Sequence, residues 1–372
     1  MPAFCLSFHI HQPCCLKHYS FFDIGETSAY EDQAGTEEHL NSAIEKRILP
    51  ALQIFLKRIT HYQGDFRIAL TLSGSFLDFC EHPQPRVLDL LKALADTGCV
   101  EFLGSPYHHS LSSVGSIQEF KEQIVLQANR LATLFGQEPT AFANTGLIYS
   151  DALAREIESM GYQAILAGNA GLLSENLSPS HVYRPASCAT VKLLLNRPLD
   201  PTGVTRVHPR GKVIGLYCTL DSNSETSFDD TDILAFLDQL PGSILSEHKG
   251  TFLTPSQVAR EFKASSILSS PDFHSLYPPH DLSSWLGNEM QKDALQALYQ
   301  AEGAVKIARD PALLRIWRLL QDADYFLSMN TRKQSVAAVP SHGSPYDAYI
   351  NFMNILTDLT ERIEATTPTP PG

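Results

Sequence analysis

No apolar run in the chain approaches the roughly 18 residues that a membrane helix needs. The N-terminus, MPAFCLSFHIHQP, has neither a basic region nor a small-residue cleavage site, so it does not read as a secretion signal. Basic residues are in deficit: 28 Lys and Arg stand against 41 Asp and Glu, a net charge of −13, and no Lys/Arg run occurs. A nucleic-acid binder draws most of its affinity from phosphate neutralisation, so nucleic acid is not an expected partner. The seven cysteines are odd in number and form no CxxC pattern. Without a secretion signal they read as reduced thiols in a cytoplasmic protein. The adjacent Cys14 and Cys15 are read as packed or loop thiols rather than a redox or metal pair. No internal repeat and no low-complexity linker is apparent.

The 372 residues, 43% of them hydrophobic, are enough for one large domain with a smaller one. Short apolar runs at 3–10, 65–72, 99–104, 141–145, 163–167, 190–195 and 213–219 read as strands. Several are almost continuously hydrophobic, as strands buried on both faces are. Helical patterns at 37–60, 85–97, 116–135, 150–160 and 229–239 lie between them. Ser150-Asp151 suits a helix N-terminus and Gly161 its C-terminal end. This βα alternation predicts a parallel sheet, and seven strands with long connections favour a barrel. From 281 three amphipathic stretches follow without intervening strands, which predicts a helical subdomain. The expected division is a barrel over 1–280, a helical bundle over 281–365 and a disordered tail over 366–372.

Polar side chains collect where the predicted strands end, which is where barrels place their chemistry. His9 and His11 are two residues apart on a strand and so share a face. Ser105, Tyr107, His108 and His109 follow the strand at 99–104. Aromatic faces stack on pyranose rings and imidazoles hydrogen-bond to hydroxyls, so this cluster suits a sugar site. Asn144-Thr145-Gly146 and the stretch from Thr219 to Glu225 follow two further strands. Trp285, Asp322 and Asp324 lie on the helical stretches, and Trp317 reads as core. His9, His11, His108 and His109 supply enough nitrogen for zinc, but no HxxxH or HExxH spacing occurs. The expectation is no metal.

Taken in order, FHIHQP, VEFLGSPYHHSL, FANTGLIYSD, GLYCTLDSNSETSF and WRLLQDADYFLSM resemble glycoside hydrolase family 57, in its α-amylase group. The flanking DLSSWLGNEMQ, FLTPSQV and SPYDAYINFMN agree, and the likeness runs from residue 4 to about 360. It implies an α/β fold, an incomplete (β/α)7 barrel followed by a C-terminal helical bundle. It further implies an α-1,4-glucan or maltooligosaccharide partner and a retaining mechanism without metal or organic cofactor. Such a mechanism uses two carboxyl groups about 5–5.5 Å apart. In the family the nucleophile is the Glu of Asn-Thr-Glu-Leu-Ile-Tyr; here Gly146 stands in its place. The acid/base is the Asp of Leu-Phe-Met-Asp-Tyr-Glu; here the position holds Thr219. The family's Glu before Tyr-Tyr-His-Ser is Ser105, and its Asp-His-Phe reads Asp324-Tyr325-Phe326.

The expectation is therefore an α-amylase-like homologue that has lost hydrolysis and kept an oligosaccharide cleft. The residues carried over as sugar contacts are His9, His11, Tyr107, His109, Trp285 and Asp324. One alternative is a weak or altered retaining α-glucan hydrolase or glucanotransferase using Asp221, two residues past Thr219. Another is a non-catalytic scaffold that binds a protein partner.

Overall fold

A computed structural model describes residues 1–169, 171–172, 178–199, 212–220, 230–332 and 343–366. It contains ten strands: β1 (Ala3–Ile10), β2 (Ile68–Leu72), β3 (Val100–Phe102), β4 (Ala141–Ala143), β5 (Ala164–Gly168), β6 (Val182–Pro185), β7 (Lys192–Pro198), β8 (Val213–Thr219), β9 (Thr251–Phe252) and β10 (Ser266–Leu268). Seven of them close a ring of parallel strands in the order β1-β2-β3-β4-β5-β7-β8 and back to β1. The β3–β4 seam is the thinnest. Past the end of β3, Gly104 donates to Ala141 O and accepts from Ala143 N–H, both at 2.9 Å. The fold is thus the incomplete (β/α)7 barrel, and all seven barrel strands fall on the seven apolar runs read from the sequence.

The other three strands fill gaps where barrel neighbours part. β6 runs antiparallel along the first half of β7, through Val182↔Leu194 and Tyr183↔Leu193, whereas β8 pairs only with its second half. β9 flanks the start of β1, through Ala3↔Thr251 and Phe4↔Phe252, and β2 flanks its end. β10 pairs with β6. These segments of two to four residues are too short to show a hydrophobic period.

Alternation along β1 divides two environments. Ala3 and Cys5 belong to an apolar cluster inside the barrel with Ala69, Leu103, Ala141, Ala143, Ala164, Leu166, Leu194, Val213 and Tyr217. Many of these are alanine, as the narrow interior requires. Phe4 and Phe8 point the other way. Phe8 meets Phe55 of the helix Leu49–His61 at 4.6 Å between ring centroids, and Phe4 meets Phe252 at 6.4 Å. Each such buried ring contributes roughly 1.5–3 kcal/mol. Further along the inner face the side chains become polar: Ser7, His9 and then His11. At the floor the inner face is apolar apart from Glu101, which is level with Ala69 and accepts from Ser256, and toward the far end of β1 it is hydrogen-bonding.

The chain forms two compact units. One holds Met1–His11, Asn41–Tyr107 and Glu122–Asp281, which includes the barrel. The other holds Gln12–Leu40, His108–Lys121 and Leu282–Gly372. The helical unit contains the C-terminal helices Ser283–Leu286, Glu289–Gln300, Glu302–Ala308, Pro311–Leu319, Ala323–Ser328 and Pro345–Thr366. Its first segment is sewn to the longest of these helices. Asn351 accepts the Tyr19 N–H and donates to Lys17 O, Asn354 donates to Tyr19 O, and Asp358 accepts from Gly25 N–H and the Tyr30 phenol. Its second segment is held by a Ser110–Asp322 bridge and by Leu111 N–H on Gln321 O. Among the described residues no helix is long and apolar enough to cross a membrane.

Candidate functional site

Strand register places the first candidates. His9 of β1 lies level with Thr71 of β2 on one side and Thr219 of β8 on the other. Register partners in parallel strands point the same way, about 4.8 Å apart, so the three side chains stand in a row on the inner face. His9 is buried and its ring stacks against those of His11, at 6.2 Å, and Tyr217, at 6.4 Å. His11 Nδ1 lies 2.8 Å from Ser73 Oγ, and Ser73 also accepts the Phe76 N–H to open the helix Gly74–Cys80. Thus the residue that follows β2 both starts a helix and orients an imidazole.

Burial, and then the neighbouring His11, lower the His9 pKa from 6.5 to about 3. The unfolded chain takes up this proton near pH 6.5 and the folded chain refuses it. The stability that neutral His9 supplies is therefore complete above pH 6.5 and is lost progressively as the pH falls toward 3. In an NMR titration His9 is expected to keep neutral-imidazole shifts down to about pH 4; a midpoint near 6.5 would show that the ring is hydrated.

Tyr107 and Ser105 follow β3. Ser105 is buried and Tyr107 partly exposed. The Tyr107 phenol donates to Asp78 at 2.7 Å, and the Tyr107 carbonyl accepts the Gly74 N–H at 2.7 Å.

After β4 the chain makes a tight 3-10 turn, Thr145–Leu147. Asn144 builds it: the side-chain oxygen accepts the Thr145 N–H and the side-chain nitrogen donates to Ile148 O, both at 3.0 Å. Gly146 takes a left-handed conformation there, φ +56°, and its carbonyl accepts the Leu276 N–H. Glycine enters that region without the penalty a Cβ brings. Four residues on, Ser150 caps the helix Asp151–Ser159 through the Leu153 N–H. The Asp151 carboxylate accepts from the Tyr149 phenol, Ser269 Oγ and Ser270 N–H at 3.2, 3.0 and 2.9 Å. It is committed to fixing loops.

The remaining predicted contacts lie in the helical unit. His109 adopts φ +51° and its carbonyl accepts the Ala323 N–H. Asp322 caps the helix Ala323–Ser328 by accepting the Asp324 N–H at 3.0 Å, and Asp324 occupies the first turn of that helix, partly exposed. Trp285 is buried, in the helix Ser283–Leu286. Trp317 is core, as the sequence suggests, with its indole N–H on Leu298 O at 2.7 Å. Burial pushes the Cys14 thiol up to about 12 and raises Cys15 too, so neither offers a thiolate at neutral pH. Asp221 and Glu225 lie outside the described residues. Sequence reading missed Asp78, an isolated acid on a helix with no motif around it.

The barrel unit therefore brings His9, His11, Thr71, Ser73, Ser105, Tyr107, Gly146 and Thr219 to strand ends. The chemistry they offer is hydrogen bonding and one aromatic face. Among the described residues, the last residue of each of the seven barrel strands and the two after it carry no carboxylate; Asp200 and Asp221, second after β7 and β8, lie outside the described residues.

Comparison with known proteins agrees with the fold. The sequence profile described as Glycosyl hydrolase family 57 matches residues 5–199. A Methanocaldococcus jannaschii protein whose name proposes an α-amylase is 25% identical, over 95% of this chain and 83% of its own length. The crystal structure of a 4-α-glucanotransferase from Thermococcus litoralis superposes with a TM-score of 0.69 at 13% identity, over 87% of this chain. This chain spans only 56% of that one's length. A family 57-type branching enzyme from Pyrococcus horikoshii superposes with a TM-score of 0.68 at 11% identity, over 98% of this chain and 94% of its own.

Proposed function

The chain belongs to glycosyl hydrolase family 57, and from that premise we propose that it is an α-glucan-binding protein that no longer hydrolyses its ligand. What supports the reading is the sequence: Gly146 and Thr219 stand where the resemblance puts the nucleophile and the acid/base, and the described ends of the barrel strands carry no carboxylate in their stead. Retaining hydrolysis needs one carboxylate to attack the anomeric carbon and another carboxyl group to protonate the leaving oxygen. Gly146 has no side chain to attack with, and a threonine hydroxyl is too weak an acid to protonate.

What remains suits recognition. Imidazoles and hydroxyls line the polar end of the barrel, and groups of this kind hydrogen-bond to sugar hydroxyls. Tyr107 offers an aromatic face in the barrel unit; within the helical unit, His109, Trp285 and Asp324 are the contacts that the resemblance carries over. The names of the relatives point to α-glucans as the ligand class, maltooligosaccharides or a storage polymer. The seven cysteines form no disulfide, which suits a reducing compartment such as the cytoplasm.

Titration calorimetry with maltoheptaose, and affinity electrophoresis in glycogen, are expected to show binding. Chromatography of maltoheptaose after prolonged incubation with abundant protein is expected to show no shorter products. No binding at millimolar sugar would sink the ligand assignment. Products of cleavage or chain transfer would replace it with the alternative in which Asp221 serves as a catalytic carboxylate.

A further inference from the structure

Tyr107 is fastened at three points within the barrel unit. Its carbonyl takes the Gly74 N–H, and its phenol donates to Asp78 Oδ2. Its ring rests on Gly74 so closely that a Cβ there would come within 2.4 Å of three ring carbons. Asp78 is itself held. Arg130 Nη2, from the helix Ile117–Phe135, lies 3.1 Å from Asp78 Oδ1 and 2.9 Å from Glu81 Oε2. Gly74 and Asp78 lie on the short helix that follows β2, and Glu81 is the next residue past its end, whereas Tyr107 belongs to the loop after β3.

The exposure of these groups says what the arrangement is for. The Asp78 and Glu81 side chains are 51% and 41% exposed, whereas that of Arg130 is 19% exposed. Ion pairs and hydrogen bonds in such surroundings add little or nothing measurable to stability. They do fix geometry: a wall under the ring and an acceptor at its tip leave the two side-chain torsions one setting. A platform that is ordered only when ligand arrives loses affinity to that ordering, roughly three- to tenfold for one side chain.

We propose that Asp78 and Gly74 are positioning residues that set Tyr107 as a stacking platform for a glucan ring before ligand arrives, with Arg130 and Glu81 holding the Asp78 carboxylate. The platform role rests on the α-glucan reading above; the positioning role does not. Gly74 is small because the ring needs its space, and Asp78 is acidic because it must accept the phenol and meet Arg130 together.

Calorimetry with maltoheptaose on the full chain tests this. Asp78→Ala is expected to weaken binding about three- to tenfold with a nearly unchanged thermal midpoint, which a purely structural role would not do. Asp78→Asn keeps an acceptor oxygen and is expected to recover most of the affinity. Tyr107→Ala is expected to weaken binding at least as much, and Asp78→Ala added to it to cost nothing more. Affinity within twofold of wild type for Asp78→Ala overturns the proposal, whether or not Tyr107→Ala has an effect. If the wild type binds no maltoheptaose, the glucan reading fails separately, and NMR of ring-labelled tyrosine decides the positioning role. One sharp Tyr107 signal in wild type and Asp78→Asn, averaged in Asp78→Ala, supports it; the same signal in all three overturns it.

Discussion

Gly146→Glu combined with Thr219→Asp is expected to raise maltoheptaose hydrolysis at least about a hundredfold above the unaltered chain, with either change alone staying at background. The size follows from what such groups supply. Removing a single catalytic nucleophile or base costs on the order of 10⁴–10⁶ in rate, and groups that act together are far from additive. One carboxylate without its partner therefore recovers almost nothing. Full recovery is not expected, for reasons the structure makes specific. Position 146 requires φ +56°, and glutamate there costs about 1 kcal/mol and resists the turn that Asn144 builds. Catalytic groups also need placement within about 0.5 Å, supported by neighbours chosen for the purpose. Thr219 is the easier site, because it lies level with His9 on an ordered strand. Thr219→Asp alone, supplied with azide, gives an independent check. It provides the acid while azide attacks from the face opposite the leaving group, so the expected product from an α-glucan is the β-glycosyl azide. A folded double variant that still yields no products in the chromatogram would show that positions 146 and 219 are not where the reacting bond sits.

Much of the barrel is legible in the amino-acid sequence because its strands are buried on both faces. Runs such as AFCLSFHI and VIGLYCT have to be apolar almost throughout, and that signal survives without knowledge of partners. The gap-filling strands β6, β9 and β10 carry no comparable signal, since two to four residues contain no period. Packing between distant segments is also hidden. Nothing local in 12–40 or 108–121 states that these residues pack with the C-terminal helices. The ties run through single polar side chains such as Asn351 and Asp358, which look like ordinary surface residues in a helix. The candidate site divides the same way. His9, His11 and Tyr107 advertise themselves by sitting at strand ends, where barrels keep polar groups. Asp78 does not, because its meaning lies in a contact with residue 107 made by folding. Gly146 stands out only against the motif that the resemblance supplies, whereas its left-handed backbone is visible only in the structure.

Glu119→Ala is expected to destabilise the protein by about 3–5 kcal/mol, the largest loss anticipated for a single polar side chain here. Glu119 sits in the first turn of the helix Ile117–Phe135 with its side chain wholly buried. Arg318 grips both carboxylate oxygens, at 2.8 and 3.1 Å, and Lys306 approaches at 3.1 Å. Lys306 also meets Glu302 at 2.8 Å, so two acids balance two bases in little-hydrated surroundings. The same field, added to burial, drives the Tyr299 phenol well above its usual value. Removing Glu119 leaves a guanidinium and an ammonium to share one carboxylate, and the uncompensated charge has little water to turn to. The stabilising quantity is charge balance rather than the bridge itself, because desolvating a buried pair consumes most of its attraction. That distinction is measurable. Glu119→Leu with Arg318→Met keeps the Glu302–Lys306 pair neutral and replaces the other with apolar volume. It is expected to be more stable than either single variant and to approach wild type in urea denaturation. A double variant whose loss equals the sum of the two singles would show that balance is not the governing effect. Since Glu119 belongs to the segment His108–Lys121, its loss is also expected to free that segment from the helices that carry Arg318 and Lys306, seen as faster amide exchange at Leu111 and Ala323.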